Sequence, residues 1–448
     1  MKTINNDTPC VLILAPHGSY RTFDFIQAAN KLGIKTLIAS EGKHSLISAY
    51  AQGIHLDFSL DRDSVFEELK TAVLEFSIVG VIATDDYTTS LAARIAKHLG
   101  LPHNNPDAVH LTQRKDLARA CLSEQGVSIP EYLRIDLNED VHAQVRELVF
   151  PVVIKPVALS ASRGVIRANN LNELEQAIER VHQLLVSLTD LDEDAKRYLL
   201  VEEFISGKEI AVEAMLSGGQ LSVLTIFDKP DPLDGPYFEE SYYITPTGLS
   251  QTLQDKILSA LQDACKAYGL SEGPIHAECR LRNNDVFVIE IAARTIGGLC
   301  GRLLSFGTGF SLEELVLSQA MGKRVNIEKQ EQAAGVLMIP IPKAGVLKRV
   351  EGLLAAQAVP FVDEVNIQIR EGHELIPLPE GSSYLGFIFA FAPTTQQAEQ
   401  ALRDAHSKLK FVIAPIWKIN SDALNLEKNE SVNTVAVNTV PVNMFKAN

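Results

Sequence analysis

Residues 10 to about 108 alternate short apolar runs with helix-length amphipathic ones: "CVLILA", "FDFIQAANKLG", "IKTLIAS", "VFEELKTAVLEF", "VGVIATDD", "TTSLAARIAKHLGLP". This alternation constrains the chain more than any other feature, because strands separated by helices of this length close into a parallel sheet with helices on both faces. The first strand runs into "APHGSYRTF", a loop with a single glycine. A dinucleotide fingerprint needs three spaced glycines there, so the segment does not read as NAD-binding. Asp85 and Asp86 follow the "GVIAT" strand, at the carboxyl edge where open sheets bind ligands. They read equally as caps of the helix that follows.

Beyond this segment the pattern is mixed, so the fold class is α/β and α+β. "RKDLARACLSEQG" reads as a helix stopped at Gly126, "FPVVIKPVALSASRGVIRANN" as two strands around a small-residue loop, and "NELEQAIERVHQLLVSL" as an amphipathic helix. "RYLLVEEFISGKEIAVEAML" reads as two strands around a short polar loop, and "FDKPDPLDGPYFEESYYITPTG" as a mobile acidic loop. Short strands and one helix fill 335–420, and the tail after Ser421 carries no pattern that could bury a face. The pattern itself marks a first region at 1–108, a smaller one at 331–420 and a disordered 421–448.

"VFVIEIAARTIGG" begins as a buried strand and ends in a carboxylate, Glu290, and a guanidinium, Arg294, with Gly297 and Gly298 behind them. Its partner is "IHAECRLRNND", where alternation puts His276, Glu278, Arg280 and Arg282 on one face. A three-residue loop at Asn283–Asp285 pairs Arg282 with Val286, Arg280 with Val288 and Glu278 with Glu290. Two carboxylates opposite one another cost a hairpin roughly 0.2–1 kcal/mol. A divalent cation removes the conflict, and hard oxygen ligands suit Mg²⁺. The other reading pairs each glutamate with Arg280, Arg282 or Arg294.

"VVIKP" sets Lys155 in an apolar strand, where an unpaired ammonium is costly. The adjoining "ALSASRG" can wrap phosphates with backbone N–H groups and serine hydroxyls. "VEEFISGKE" then offers backbone groups and Phe204 to a purine and Glu209 to ribose hydroxyls.

With a net charge of −15 and no basic stripe, nucleic acid and anionic membrane are not expected partners. No apolar run approaches the ~20 residues of a membrane helix, and the N-terminal run is too short for a signal peptide. Five dispersed cysteines without a CxxC pair read as free thiols of a cytoplasmic protein.

The order lysine strand, small-residue loop, acidic linker and paired carboxylates resembles that of the ATP-grasp superfamily. Within it the chain is most similar to carboxylate–amine ligases, the bacterial L-amino-acid ligases that form dipeptides, over about residues 10 to 420. The resemblance implies a Rossmann-like N-terminal domain, a small lid subdomain at 109–200, a catalytic subdomain at 201–330 and a C-terminal α+β region. It implies ATP and Mg²⁺ as cofactors, with Mn²⁺ admissible, small carboxylate and amine substrates, and admits a homodimer. Lys115 and Lys155 resemble the lysines that hold the phosphates, with Ser160 and Ser162 in the lid loop. Glu202 and the backbone of Glu203, Phe204 and Ile205 would meet adenine, and Glu209 the ribose. Glu278 and Glu290 resemble the metal ligands, and Arg294 the arginine that steadies the acyl phosphate. In "F-x-E-x-x-Y-x-x-P" (238–246), Glu240 is placed to meet a substrate ammonium, and Tyr243 and His276 go with the substrate site. Two positions depart from the pattern: Ala292 stands where the family carries a metal-binding asparagine, and Tyr243 where it often carries histidine. A carboxylase or formyltransferase-like enzyme of the same fold, or an ATP-binding protein with impaired catalysis, are the alternative readings.

Overall fold

A computed structural model of the chain describes residues 8–16, 19, 21–41, 51–189, 191–306, 309–323 and 332–416. The 421–448 tail, expected to be disordered, lies outside them. Strands β1 (Cys10–Leu14), β2 (Lys35–Ser40), β3 (Gln52–His55) and β4 (Ile78–Ala83) form the expected parallel sheet, in the order β3-β2-β1-β4. All five residues of β1 are buried because both faces are covered. Leu12 and Leu14 pack on Val65, Leu69 and Ile95 from helices Arg62–Ala72 and Asp86–Leu99. Val11 and Ile13 join a core that includes Phe25, Leu312, Val316 and Phe389, which fastens this sheet to the rest of the chain. Contact there is close: a Cβ on Gly80 would stand 2.6 Å from the backbone oxygen of Ala320.

Strands β5 (Tyr132–Asp136), β6 (Val152–Pro156), β7 (Ile166–Ala168) and β8 (Tyr198–Glu203) form a second, antiparallel sheet in the order β5-β8-β6-β7. Helix Leu171–Ser187 covers it with Leu174, Ile178, Val181 and Leu185, and its start is fixed by Asn170, whose side chain accepts from the Glu173 N–H.

The chain then crosses into β9 (Lys208–Ser217), so the run "RYLLVEEFISGKEIAVEAML" supplies strands to two different sheets. β10 (Gln220–Asp228), β11 (Tyr242–Thr245), β12 (Gly273–Arg282) and β13 (Asp285–Ala292) follow, then the short pair β14 (Ser305–Phe306) and β15 (Phe310–Ser311). The last strands are β16 (Ala333–Ile339), β17 (Gly345–Glu351), β18 (Val362–Ile367), β19 (Glu374–Leu375), β20 (Gly386–Ala392) and β21 (Lys410–Ala414). One eight-stranded sheet runs β13-β12-β9-β10-β11-β16-β20-β18, across position 330, while β19-β17-β21 form a small separate one.

Two expectations need correction. The segment read as a mobile loop contains β11, four buried residues inside the large sheet. This strand pairs at one position with β10 but along its whole length with β16, about ninety residues downstream, so nothing local announces most of the pairing. The hairpin register also differs from the expected one. The turn is only Asn283–Asn284, both left-handed at φ 55° and 66°, so Arg282 pairs with Asp285 and Arg280 with Phe287. A bulge at Ile289 then restores the register, and Glu278 does pair with Glu290. The same bulge moves Glu290 out of phase with Val286 and Val288, which are buried in the core under the sheet.

Candidate active site

A cleft of about 530 Å³ lies where the three larger sheets meet, and it gathers every site residue expected from the sequence. The lid sheet contributes Lys155, Ser160 and Ser162, the crossing segment Glu202 to Glu209, and the large sheet Glu240, Tyr243, His276, Glu278, Glu290 and Arg294. Asp85 and Asp86 reach it from the first sheet, and Met338, Tyr384 and Phe387 from the C-terminal region.

On the lid side, Lys155 donates to Glu202 at 2.6 Å, and Arg119 grips the other oxygen of Glu202 at 2.7 Å. Glu202 is only 2% exposed, and although burial works against its charge, Arg119 and Lys155 hold its carboxyl below the usual range. Both of its oxygens thus serve an internal triangle, not an open face toward a base. The backbone N–H groups of Glu203 and Phe204 donate to Glu131 and Pro151, and the Ile205 carbonyl accepts from Arg280. Those three groups are therefore engaged within the protein. The Phe204 ring is flanked by the guanidinium of Arg167 at 4.2 Å and of Arg280 at 5.0 Å.

Lys115 ties the lid loop to the large sheet, donating to the Leu159 carbonyl at 2.6 Å and to Glu290 at 3.2 Å. In that loop Ala161 and Ser162 adopt left-handed backbone (φ 54° each), Arg163 donates to the Glu380 carbonyl, and the Gly164 N–H to that of Pro379. The lid loop thus rests on the C-terminal region.

The paired glutamates are not held by the arginines of their own hairpin. Arg280 binds Glu209 at 2.8 Å, Arg282 binds Glu203 at 2.6 Å, and Arg294 binds Asp86 at 2.7 Å. Asp86 thus faces the cleft instead of capping its helix. Burial penalises the Arg294 charge, but Asp86 more than compensates, so its proton is held more firmly than in water.

Among three of the lining carboxylates sits a cation the sequence reading missed. Lys229, 3% exposed at its side chain, donates to Glu209 (2.8 Å), Glu240 (2.6 Å) and Glu278 (3.3 Å). Burial opposes its charge, and the three carboxylates overturn that opposition and raise its pKa. Of the carboxylates, Glu240 is pushed up by burial and by the neighbouring charge of Glu278. Glu278 is brought down to about 2, because Lys229 and a hydrogen bond with His276 outweigh its burial. Glu240 also accepts from the Tyr243 hydroxyl at 2.7 Å. Beside them, His276 Nδ1 lies 2.7 Å from the fully buried Glu213. Burial would neutralise the ring, but Glu213 and Glu278 carry it up to about 9. The signal for Lys229 was legible: "IFDKP" repeats the apolar-strand, lysine, proline order of "VVIKP".

Glu278 and Glu290 are direct cross-strand partners with carboxylate oxygens on the cleft side, a donor set that fits a hard divalent cation. Among the described residues no helix is long and apolar enough to cross a membrane, and all five cysteines are free thiols.

Comparison with known proteins gives three family matches: the ATP-grasp N-terminal domain over 26–103, the ATP-grasp domain over 148–302, and the L-amino acid ligase C-terminal domain 2 over 337–414. An uncharacterized protein, y4rH, of Sinorhizobium fredii is 23% identical over 90% of this chain and 83% of its own. Alanine–anticapsin ligase of Bacillus subtilis is 25% identical, and the matched stretch spans 54% of each chain, about half the length of that relative. The crystal structure of an L-amino acid ligase from Bacillus licheniformis superposes with a TM-score of 0.79 at 25% identity, covering 90% of this chain and 98% of that one.

Proposed function

The chain belongs to the ATP-grasp superfamily and is a carboxylate–amine ligase by type; from that premise we propose that it activates the carboxylate of an amino acid with ATP and joins it to an amine. The observation that carries the reading is the cross-strand pair Glu278–Glu290 flanked by Lys115, Lys155 and Arg294 in one cleft. A carboxylate oxygen would attack the γ-phosphorus of ATP, with ADP leaving, to give an acyl phosphate. The amine would then attack the acyl carbonyl and expel phosphate. Mg²⁺, held by Glu278 and Glu290, would supply charge neutralisation on the phosphates; Mn²⁺ offers the same chemistry.

The protein's own part is positioning and electrostatics. Lys115 and Lys155 supply positive charge from the lid side. Asp86 fixes the Arg294 fork in the cleft, where it suits a carboxylate or its phosphate. Glu240, in the same cleft, suits an α-ammonium, so an amino acid would be held at both ends. Ser160 and Ser162, in the loop resting on Pro379 and Glu380, would close over the phosphates and exclude water. The first sheet, through Asp86, and the C-terminal region, through Tyr384 and Phe387, shape the substrate end. Free thiols and use of ATP agree with a cytoplasmic setting.

ADP and phosphate release, screened over pairs of L-amino acids and small amines without bicarbonate or formate, tests the reading. Substrate-dependent release is expected in the wild type, with a loss of about 10²-fold or more in Glu290→Gln. Near-normal turnover and magnesium dependence in Glu290→Gln would remove the paired-carboxylate site. Release that requires bicarbonate or formate would replace ligation by carboxylation or formylation.

A further inference from the structure

The ammonium of Lys229 has three protons and three carboxylate partners, so each N–H is used. Those carboxylates offer oxygens within 4.8 Å of one another, close enough to share a metal ion, and the lysine takes that position instead. Two of their remaining oxygens are also engaged: Arg280 donates to the second oxygen of Glu209, and Tyr243 to that of Glu240. The three carboxylates belong to three different parts of the proposed site: Glu209 to the ribose, Glu278 to the metal and Glu240 to the substrate ammonium.

Resting on that reading, we propose that Lys229 is a resident cation, a positioning residue that sits among the acidic side chains of the site and makes the metal, nucleotide and amino-acid positions depend on one another. A divalent cation approaching Glu278, or an ammonium approaching Glu240, meets a like charge already seated there. The phosphates of a bound nucleotide give Lys229 an alternative anionic partner, and its flexible stem lets it turn toward them. The carboxylates it leaves are then open to the metal and the ammonium. Nucleotide binding therefore precedes amino-acid binding.

Electron paramagnetic resonance of free Mn²⁺ tests this without turnover. In the absence of nucleotide, Lys229→Gln should bind Mn²⁺ about tenfold more tightly than the wild type, and Lys229→Arg, which keeps the charge, should not. A lysine with a merely structural role gives the opposite sign, since disorder in the cluster weakens metal binding. If Lys229→Gln fails to fold, the double variant Lys229→Met with Glu240→Gln removes one charge of each sign and is compared with Glu240→Gln alone, with the same rise expected. Affinity that is unchanged, lowered or undetectable in the folded lysine-free protein overturns the proposal. Failure of every amino acid to release ADP would sink the ligase reading and leave the Mn²⁺ result standing.

Discussion

Glu202 shows how far a residue's role depends on neighbours that the linear order hides. In sequence it opens the acidic linker; in the fold it is clamped between Arg119 and Lys155. Glu202→Gln leaves two buried cations without their counter-charge, which should cost about 3–5 kcal/mol near neutral pH by urea denaturation. The sign of the pH dependence follows from its lowered pKa. Because the folded carboxyl titrates below the unfolded one, the stabilisation is complete above the ordinary glutamate value of about 4.3 and is lost as pH falls through the folded value. The gap between wild type and variant should therefore narrow on acidification. A gap that stays constant from pH 7 into the acid range would show that Glu202 does not act through its charge.

Among the elements, the β12–β13 hairpin decides the site. Strict alternation from Val286 would put Glu290 in the apolar layer with Val288; the extra residue Ile289 turns it to the cleft. Deleting Ile289 should leave this orientation in place, because Glu290 would then follow Val288 directly and fall opposite Glu278 in an unbroken ladder, with Ile291 still in the core. The deletion variant is therefore expected to fold, by near-UV circular dichroism, and to keep metal-dependent turnover. Loss of the fold or of that turnover on deleting Ile289 would show that the bulge does more than set the phase of Glu290.

In the whole molecule, the large sheet joins what the sequence reading divided between 201–330 and 331–420. β11 has β10 on one side and β16 on the other, and β16 is followed by β20 and β18. A chain ending at Gln332 would strip β11 of a neighbour and expose Tyr242 and Ile244, which lie in the core shared with Leu337 and Ile388. Unpaired apolar edges of this kind aggregate. The 1–332 fragment is expected in inclusion bodies, or as large species by size-exclusion chromatography. A monodisperse, cooperatively melting fragment would show that the two regions fold independently.

The sequence by itself determined the parallel sheet, the main helices and most of the charged residues that meet at the site, Lys229 excepted, because strand–helix alternation and charges stranded in apolar strands are local signals. It also placed Glu278 opposite Glu290, although by two errors that cancelled: a turn one residue too long and a bulge left out. What only the tertiary structure decided is which charges partner which. Lys229 joins Glu209, Glu240 and Glu278 from three separate strands or loops, and Asp86 reaches Arg294 across 208 positions. Such pairings are set by where sheets pack, and β11 takes most of its pairing from β16, about ninety residues later. Local propensity carries no information about a partner that far along the chain.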